Sequence, residues 1–201
     1  MNNYILPDFI GEILRTAKFV HLATCNPETN EPNVSLMNYV LLTSKDLYRE
    51  RGDGGEDPNN YILLATQKHT TKYQNILRNP KVSVLVHDWI TIKNLVGSSS
   101  DLGSTSSNKL MQMLRDLNHS ELSQFSVTLK GEVCATIPNQ NQQNQQNQQN
   151  QKQNEFRYYR DKLLAVNSDA GVFVEGDDIA LLLVRIVRSK VSDTANNVTE
   201  Y

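Results

Sequence analysis

The segment of residues 61–88 constrains the fold of this chain most, because it joins two apolar runs through a polar turn and a short helical stretch. The first run, residues 61–65, and the second, residues 82–86, are rich in strand formers. The helical stretch between them ends at Asn79-Pro80, because the residue before a proline is displaced from the helical region. The segment therefore predicts a strand, a polar loop, a helix and a second strand.

The polar loop brings hydroxyl and ammonium groups to the start of the predicted helix. The residues that carry them are Thr66, Lys68, Thr70, Thr71 and Lys72. A helix N-terminus has unpaired N–H groups and the positive end of the helix dipole, so these residues suit a phosphate. The spacing of Thr71 and Gln74 also fits a capping box, in which each side chain bonds the other residue's main chain. The pattern leaves both an anion site and a plain helix cap open.

This segment resembles the phosphate-binding segment of the pyridoxamine 5'-phosphate oxidase-like family, the FMN-binding split β-barrels. In that family a strand leads into a Thr-rich turn, then a lysine, then a short helix that ends in Asn-Pro before an apolar strand. The resemblance implies that the FMN phosphate is held by Thr66, Thr70, Thr71 and Lys72. Oxidases of the family usually carry Arg at the position of Thr71, so the implied site here has one positive charge fewer.

A predicted N-terminal hairpin, residues 18–25 and 33–42, extends the resemblance. In the family the flavin ring lies near the middle of the second strand of this hairpin. The residues that this implies as ring contacts are Ser35, Leu36 and Met37. Pyridoxamine phosphate oxidases have Arg and Lys at the positions of Ser35 and Val40, so the charged partners of the enzyme are missing here.

Another implied flavin contact lies near the alternating strand predicted at residues 126–137. The family has a similar strand that ends in a glycine, with a flavin-contacting Gln five residues before it. Five residues before Gly131 stands Ser126, while the nearest glutamine is Gln124. These two positions share a face of an extended strand, and the resemblance leaves either as the contact.

Three further segments predict helices by their apolar spacing: residues 5–16, 108–119 and 155–167. Residues 171–175 predict a short strand, and residues 179–187 predict a last long strand that is apolar enough to be buried on both faces. The polar tail from Asp193 predicts a frayed end.

Three polar segments interrupt these elements. Residues 43–60 form a Gly- and Asp-rich surface loop, and residues 97–107 form a Ser/Gly linker. Residues 139–154 are almost wholly Asn and Gln, and they cannot bury enough apolar area to offset their chain entropy. We therefore expect a disordered insertion there, inside a single domain of residues 1–201.

Composition argues against several other classes of function. The formal net charge of −2 gives no electrostatic basis for nucleic-acid or membrane binding. The two cysteines and four histidines lack metal-ligand spacing, so we expect no metal. No signal peptide and no long apolar run are present, which predicts a cytoplasmic protein, with the nucleus also open. No Rossmann, Walker or nucleophile-elbow pattern occurs, so any chemistry would come from a bound organic cofactor.

The sequence predicts a mainly β fold with flanking helices, and the resemblance implies a six- or seven-stranded antiparallel split barrel. It also implies a homodimer with FMN between its subunits and an oxidoreductase activity on a small molecule. Two other interpretations stay open: a flavin-binding or interaction protein without turnover, and a barrel that has lost FMN.

Pyridoxamine 5'-phosphate itself is expected to be a poor substrate. Oxidases of that type carry a Trp and a basic motif with a His near their C-terminus. Here the last Trp is Trp89 and the last His is His119. Arg185 and Arg188 could supply charge, but strict alternation would place them on opposite faces of the last strand.

Overall fold

The computed structural model describes residues 4–48, 58–87, 125–139, 146–167, 171–193 and 195–201. In chain order its elements are α1 (Asp8–Thr16), β1 (Phe19–Cys25), β2 (Pro32–Thr43), a 3-10 turn (Ser44–Asp46), β3 (Asn60–Gln67), α2 (Thr71–Arg78), β4 (Lys81–His87), β5 (Phe125–Pro138), α3 (Gln146–Val166), α4 (Gly171–Val174), β6 (Ile179–Asp193) and β7 (Val198–Glu200). The linker and the helix predicted within residues 97–119 lie outside the described residues, as do residues 49–57 of the loop at residues 43–60.

Six antiparallel strands close into a barrel in the order β3-β2-β1-β4-β5-β6, and β7 is added outside β6. The barrel closes because β3 also pairs with β6, from Tyr61 opposite Arg185 to Gln67 opposite Ile179. The prediction of a mainly β, six- or seven-stranded antiparallel split barrel with flanking helices is therefore confirmed for the part of the chain that the structure describes.

Two apolar clusters hold the barrel together. The first fills the barrel interior with inward-facing side chains such as Leu22, Leu64 and Leu182, and α1 and α2 contribute to it. The second lies outside β3 and β6, where α3 packs through Phe156, Tyr159 and Leu163. Because β6 contributes to both clusters, its first six residues are all buried, as the apolar run predicted.

Helix α3 begins at Gln146, inside the segment that we expected to be disordered. Glutamine is a good helix former, so it can extend a helix that tertiary packing has already nucleated. Here the packed residues Phe156, Tyr159 and Leu163 fix the helix, and turns can be added before them at small cost. Asn139 is also bonded, since its N–H donates to Ile179 O at 2.9 Å.

Gly171–Val174 form a single helical turn, α4, whereas a strand was predicted at residues 171–175. The Glu175 N–H donates to Gly171 O at 3.1 Å, which is the i→i−4 bond of an α-helix. Val174 is buried under the second cluster, whereas Val172 and Phe173 remain exposed. One buried residue in four is a spacing that a helical turn satisfies and an alternating strand does not.

The last strand continues to Asp193, and the tail returns as β7, so the expectation of a frayed end is wrong. A tight turn makes this return possible, because the Asp193 carboxylate accepts bonds from the N–H and side-chain amide of Asn197, both at 2.8 Å. Asn196 takes a positive φ of 62°, which asparagine tolerates. Ser189 and Tyr201 then exchange main-chain hydrogen bonds.

A register shift between β5 and β6 corrects the expected placement of the two arginines. Lys130 lies opposite Arg188, but the next residue of β5 lies opposite Ile186, so Val187 is an extra residue. Ile186 and Ser189 are both buried. Arg185 and Arg188 therefore point to the same outer face, and each meets a carboxylate: Glu132 at 3.0 Å and Glu200 at 3.9 Å.

Candidate functional site

Helix α2 begins without a side-chain cap. Thr70 is the N-cap residue and Thr71 is the first helical residue, and no side chain bonds the helix start as a cap. The Gln74 side chain donates instead to Lys68 O at 2.9 Å, so the capping box predicted for Thr71 and Gln74 does not form. The N–H groups of the first turn have no acceptor within a helix, and they remain the positive end of its dipole.

Lys72 stands in this first turn with a half-buried side chain. Burial lowers the pKa of its ammonium group from the usual 10.5, because desolvation disfavours the charged form. No ion pair joins Lys72 to any residue that the structure describes. A partly desolvated cation without a carboxylate partner favours an anionic ligand.

The threonines before α2 form a hydroxyl cluster at the end of β3. Thr66 is buried, and its Oγ1 lies 3.1 Å from Oγ1 of Thr70. Thr70 Oγ1 also donates to Gln67 O at 2.7 Å, which keeps this hydroxyl beside the helix start. The structure therefore brings Thr66, Thr70, Thr71 and Lys72 together, as the sequence implied.

The position of α2 is fixed by packing against β1 and β2. Tyr73 and Ile76 enter the barrel cluster, and the buried Asn75 side chain donates to Thr24 Oγ1 at 3.3 Å. Pro80 follows the helix, and the C-cap residue Asn79 is extended, as the Asn-Pro pair predicted. The N-terminus of α2 is thus held at one end of the barrel.

The three residues of β2 implied as ring contacts alternate between two faces. Ser35 lies opposite Leu22 and Met37 lies opposite Val20, so both share the side of β2 that faces the barrel interior. Leu36 points outward beside His21 and is 60% exposed. This alternation excludes side-chain contacts from all three residues to one ring face.

The flavin contact implied near β5 lies elsewhere on the sheet. Ser126 is half-buried at the start of β5, opposite His87 of β4. Two strands, β1 and β4, lie between β5 and β2 in the barrel. Gln124 lies outside the described residues. Within one chain, Ser126 is therefore separated from the residues of β2 that the resemblance implied as ring contacts.

The ammonium group of Lys68 does not reach the helix start as the sequence suggested. It donates to Asp177 O at 2.8 Å and to Asn139 O at 3.1 Å. The neighbouring His69 places Nδ1 2.5 Å from Oδ2 of Asp178. Sequence reasoning missed these contacts because they depend on the pairing of β3 with β6, which no local pattern reveals.

The residues around α2 fit the phosphate end of a flavin mononucleotide. They offer the main-chain N–H groups of the first helical turn, the Lys72 ammonium group and the Thr71 hydroxyl, and donors of these kinds suit a phosphate. The charged groups expected at the positions of Thr71 and Ser35 are absent. Lys72 is the first-turn residue that supplies positive charge.

Two other kinds of site find no support in the described part of the chain. No group of three or more potential metal ligands occurs among the described residues. No helix of that part is both long enough and apolar enough to cross a membrane.

A closed six-stranded barrel with flanking helices defines the class of split β-barrel proteins, and comparison with known sequences supports this placement. The family described as pyridoxamine 5'-phosphate oxidase matches residues 6–156. A Saccharomyces cerevisiae protein named as a pyridoxamine 5'-phosphate oxidase homolog is 37% identical over 99% of this chain and 95% of its own length. A second homolog from the same yeast is 32% identical, over 95% of this chain and 92% of its own length. The chain belongs to the pyridoxamine 5'-phosphate oxidase family.

Solved structures with the same fold have more distant sequences. An F420 reductase aligns with a TM-score of 0.51 at 16% identity, over 92% of this chain and 98% of its own. A heme binding protein from Mycobacterium smegmatis aligns with a TM-score of 0.51 at 15% identity, over 98% of this chain and 59% of its own. At these identities the comparison establishes the fold and says nothing of the ligand.

Proposed function

We propose that this protein is an FMN-binding flavoprotein that acts as an oxidoreductase on a small molecule. The observation that carries the proposal is the start of α2, where an uncapped helix N-terminus meets the half-buried Lys72 without a described carboxylate partner. Membership of this family makes the phosphate of FMN the ligand that we propose for this anion site. When bound, the flavin would supply a two-electron acceptor or donor.

The role of the protein's own residues is to bind and orient this cofactor. Lys72, the Thr71 hydroxyl and the first-turn N–H groups hold the phosphate, while the Thr70 hydroxyl, which donates to Gln67 O, and the Thr66 hydroxyl beside it hold the start of the turn. Main-chain groups of Ser35, Leu36 and Met37 line the ring edge. We assign no proton-transfer residue.

The active form in this proposal is a homodimer with the flavin at the subunit interface. Helix α3 covers the outside of β3 and β6 and the second half of β2, whereas the outer face of β1 and of the first half of β2 remains exposed. That face exposes Phe19, Val34 and Leu36, which are 44%, 62% and 60% exposed. An exposed apolar patch of this kind favours a partner surface. A partner could also bring its Ser126 to the ring, from which the same chain's Ser126 is separated.

The visible spectrum of the purified protein tests the proposal. A flavin band at near one equivalent per chain would support it, and bleaching of this band by a reduced nicotinamide would support turnover. A bound flavin that no pair of reductant and substrate can reduce and reoxidise would favour a binding protein without turnover. A protein that takes up no FMN at micromolar concentration would overturn the proposal and favour a barrel that has lost its cofactor.

Pyridoxamine 5'-phosphate is expected to be oxidised poorly or not at all. A phosphate clamp near the C-terminus would need free cations, but Arg185 and Arg188 each meet a carboxylate. Turnover of this substrate at about 1 per second or faster, a rate typical of enzymes, would contradict the expectation.

A further inference from the structure

The loop between β3 and α2 is fastened on the side away from the helix start. The Lys68 ammonium group bonds two main-chain oxygens, Asp177 O at 2.8 Å and Asn139 O at 3.1 Å. These two acceptors belong to different segments, one before β6 and one after β5. One side chain therefore joins the loop to two other parts of the barrel rim.

Further hydrogen bonds of the same loop also hold it against the segment before β6. The Lys68 N–H donates to Asp178 O at 2.8 Å, and the ring of His69 meets the Asp178 carboxylate. On the other side, the Gln74 side chain donates to Lys68 O, which links this residue directly to α2. Lys68 is thus bonded through its side chain, its N–H and its carbonyl.

These contacts determine where the phosphate-binding turn lies. Only His69 separates Lys68 from the N-cap residue Thr70, so movement of Lys68 would carry the first N–H groups of α2 with it. A phosphate site depends on the directions of several N–H groups at once, and small shifts weaken all of them together. The packing of Tyr73 and Ile76 fixes the body of α2 but does not reach the loop before it.

We propose that Lys68 is a positioning residue for the flavin phosphate, which it orients through the loop without touching the flavin. The proposal deepens the proposed function and rests on it. Its basis is the direction of the Lys68 ammonium group, toward Asn139 O and Asp177 O and not toward the start of α2. Lys68 and Lys72, four residues apart, then have different tasks at one site: the first holds the loop, and the second meets the ligand.

The test compares FMN with riboflavin, which has the same ring but no phosphate, in a Lys68→Met variant. Methionine keeps the length of the side chain and removes its donors. We expect the variant to bind FMN about tenfold more weakly, in the range found for residues that orient a ligand's direct contacts, and to bind riboflavin as the native protein does. Fluorescence titration measures both affinities, and an equal loss for the two ligands would overturn the proposal.

Two further variants sharpen the comparison. Lys45→Met removes an exposed lysine from the 3-10 turn, and we expect it to leave both affinities unchanged. Lys72→Met should flatten the dependence of FMN affinity on salt concentration, because it removes a charge that meets the phosphate. Lys68→Met should keep the native salt dependence. A flattened dependence in Lys68→Met would show that Lys68 contacts the phosphate, contrary to the proposal.

Hydrogen exchange in the absence of FMN separates this proposal from the proposed function. If Lys68 fixes the loop, the amides of residues 69–74 should exchange faster in Lys68→Met than in the native protein, while those of β4 should not change. Unchanged exchange at residues 69–74 would overturn the proposal even in a protein that binds FMN. Failure of the native protein to bind FMN would overturn the proposed function, and the exchange rates would still decide whether Lys68 holds the loop.

Discussion

At the scale of single residues, Lys72 is the side chain on which we expect phosphate recognition to depend most. It is half-buried, and Thr71 stands beside it where the oxidases of the family usually have a second cation. A charge-assisted hydrogen bond contributes about 1.5–3 kcal/mol, so Lys72→Ala should weaken FMN binding about ten- to a hundredfold. Fluorescence titration measures the loss, and an unchanged affinity would leave the start of α2 a plain helix terminus.

The lowered pKa of Lys72 predicts that the affinity for FMN depends on pH. Burial disfavours the ammonium form, so in the free protein Lys72 loses its charge at a lower pH than the usual 10.5. FMN affinity should therefore be highest while Lys72 is protonated and should fall as the pH rises through its pKa, below pH 10.5. Titrations of native protein and Lys72→Met between neutral and alkaline pH measure this, and an identical profile in both proteins would contradict the assignment.

Gly131 is a residue at which the barrel tolerates no side chain. A Cβ placed there would lie 2.5 Å from Val184 Cγ1 and 3.1 Å from Arg185 O, both on the neighbouring strand β6. Overpacking of a core position costs about 1–3 kcal/mol, so Gly131→Ala should lower the free energy of unfolding by about that amount. At Gly171 an added Cβ would meet only Glu175 Oε1 at 3.8 Å, so Gly171→Ala is the matched control. Chemical denaturation compares the two, and equal stabilities would contradict the contact at Gly131.

At the scale of elements, α3 shows that a packed helix can extend into a neighbouring low-complexity segment. Its second half is fixed by Phe156, Tyr159 and Leu163, and its first turns consist of Asn and Gln. We expect replacement of residues 141–150 by a Gly/Ser sequence of equal length to lower the melting temperature by only about 4 °C or less, the effect of roughly 1 kcal/mol. Differential scanning calorimetry measures this change.

Asn139 must be kept in that variant because its carbonyl accepts the bond from Lys68 and its side chain donates to Gly176 O at 2.9 Å. FMN affinity should then stay at the native value. A large drop in melting temperature would show that the Asn/Gln segment takes part in the core. A loss of FMN affinity alone would show instead that this segment acts on the flavin site.

At the scale of the whole molecule, the exposed outer face of β1 and β2 predicts the dimer. Val34→Lys places a charge on this face, where Val34 is 62% exposed. If the face is the subunit interface, the variant should become monomeric at micromolar concentration and lose FMN affinity with it, because a buried unpaired charge is strongly unfavourable. Light scattering measures the mass.

Val198→Lys is the matched control for this variant, since Val198 is 55% exposed on β7 and undergoes the same substitution. It should remain dimeric with native FMN affinity. A native protein that is monomeric, or a Val34→Lys variant that stays dimeric, would contradict the proposed interface.

The sequence by itself determined the local elements and part of the candidate site. Alternating apolar residues define β5, and Asn79-Pro80 ends α2, because these properties depend on neighbours in the chain. The same locality gathers Thr70, Thr71 and Lys72 in one turn, where the structure also places them. For residues 146–154 composition predicts disorder, whereas the structure places them in α3, because they extend a helix that the packed residues after them nucleate.

Only the tertiary structure decided the features that depend on strand pairing. Closure of the barrel by β3 and β6 brings Lys68 to Asp177, 109 residues away, and directs its charge away from α2. The extra residue in β6 turns Arg188 to the face of Arg185, which strict alternation had excluded. Such contacts arise from the register of strands that are distant in sequence, and a change of one residue in register reverses every side chain. For that reason the local pattern predicts the residue types at the start of α2, while the closed barrel decides that Lys68 is bonded away from it.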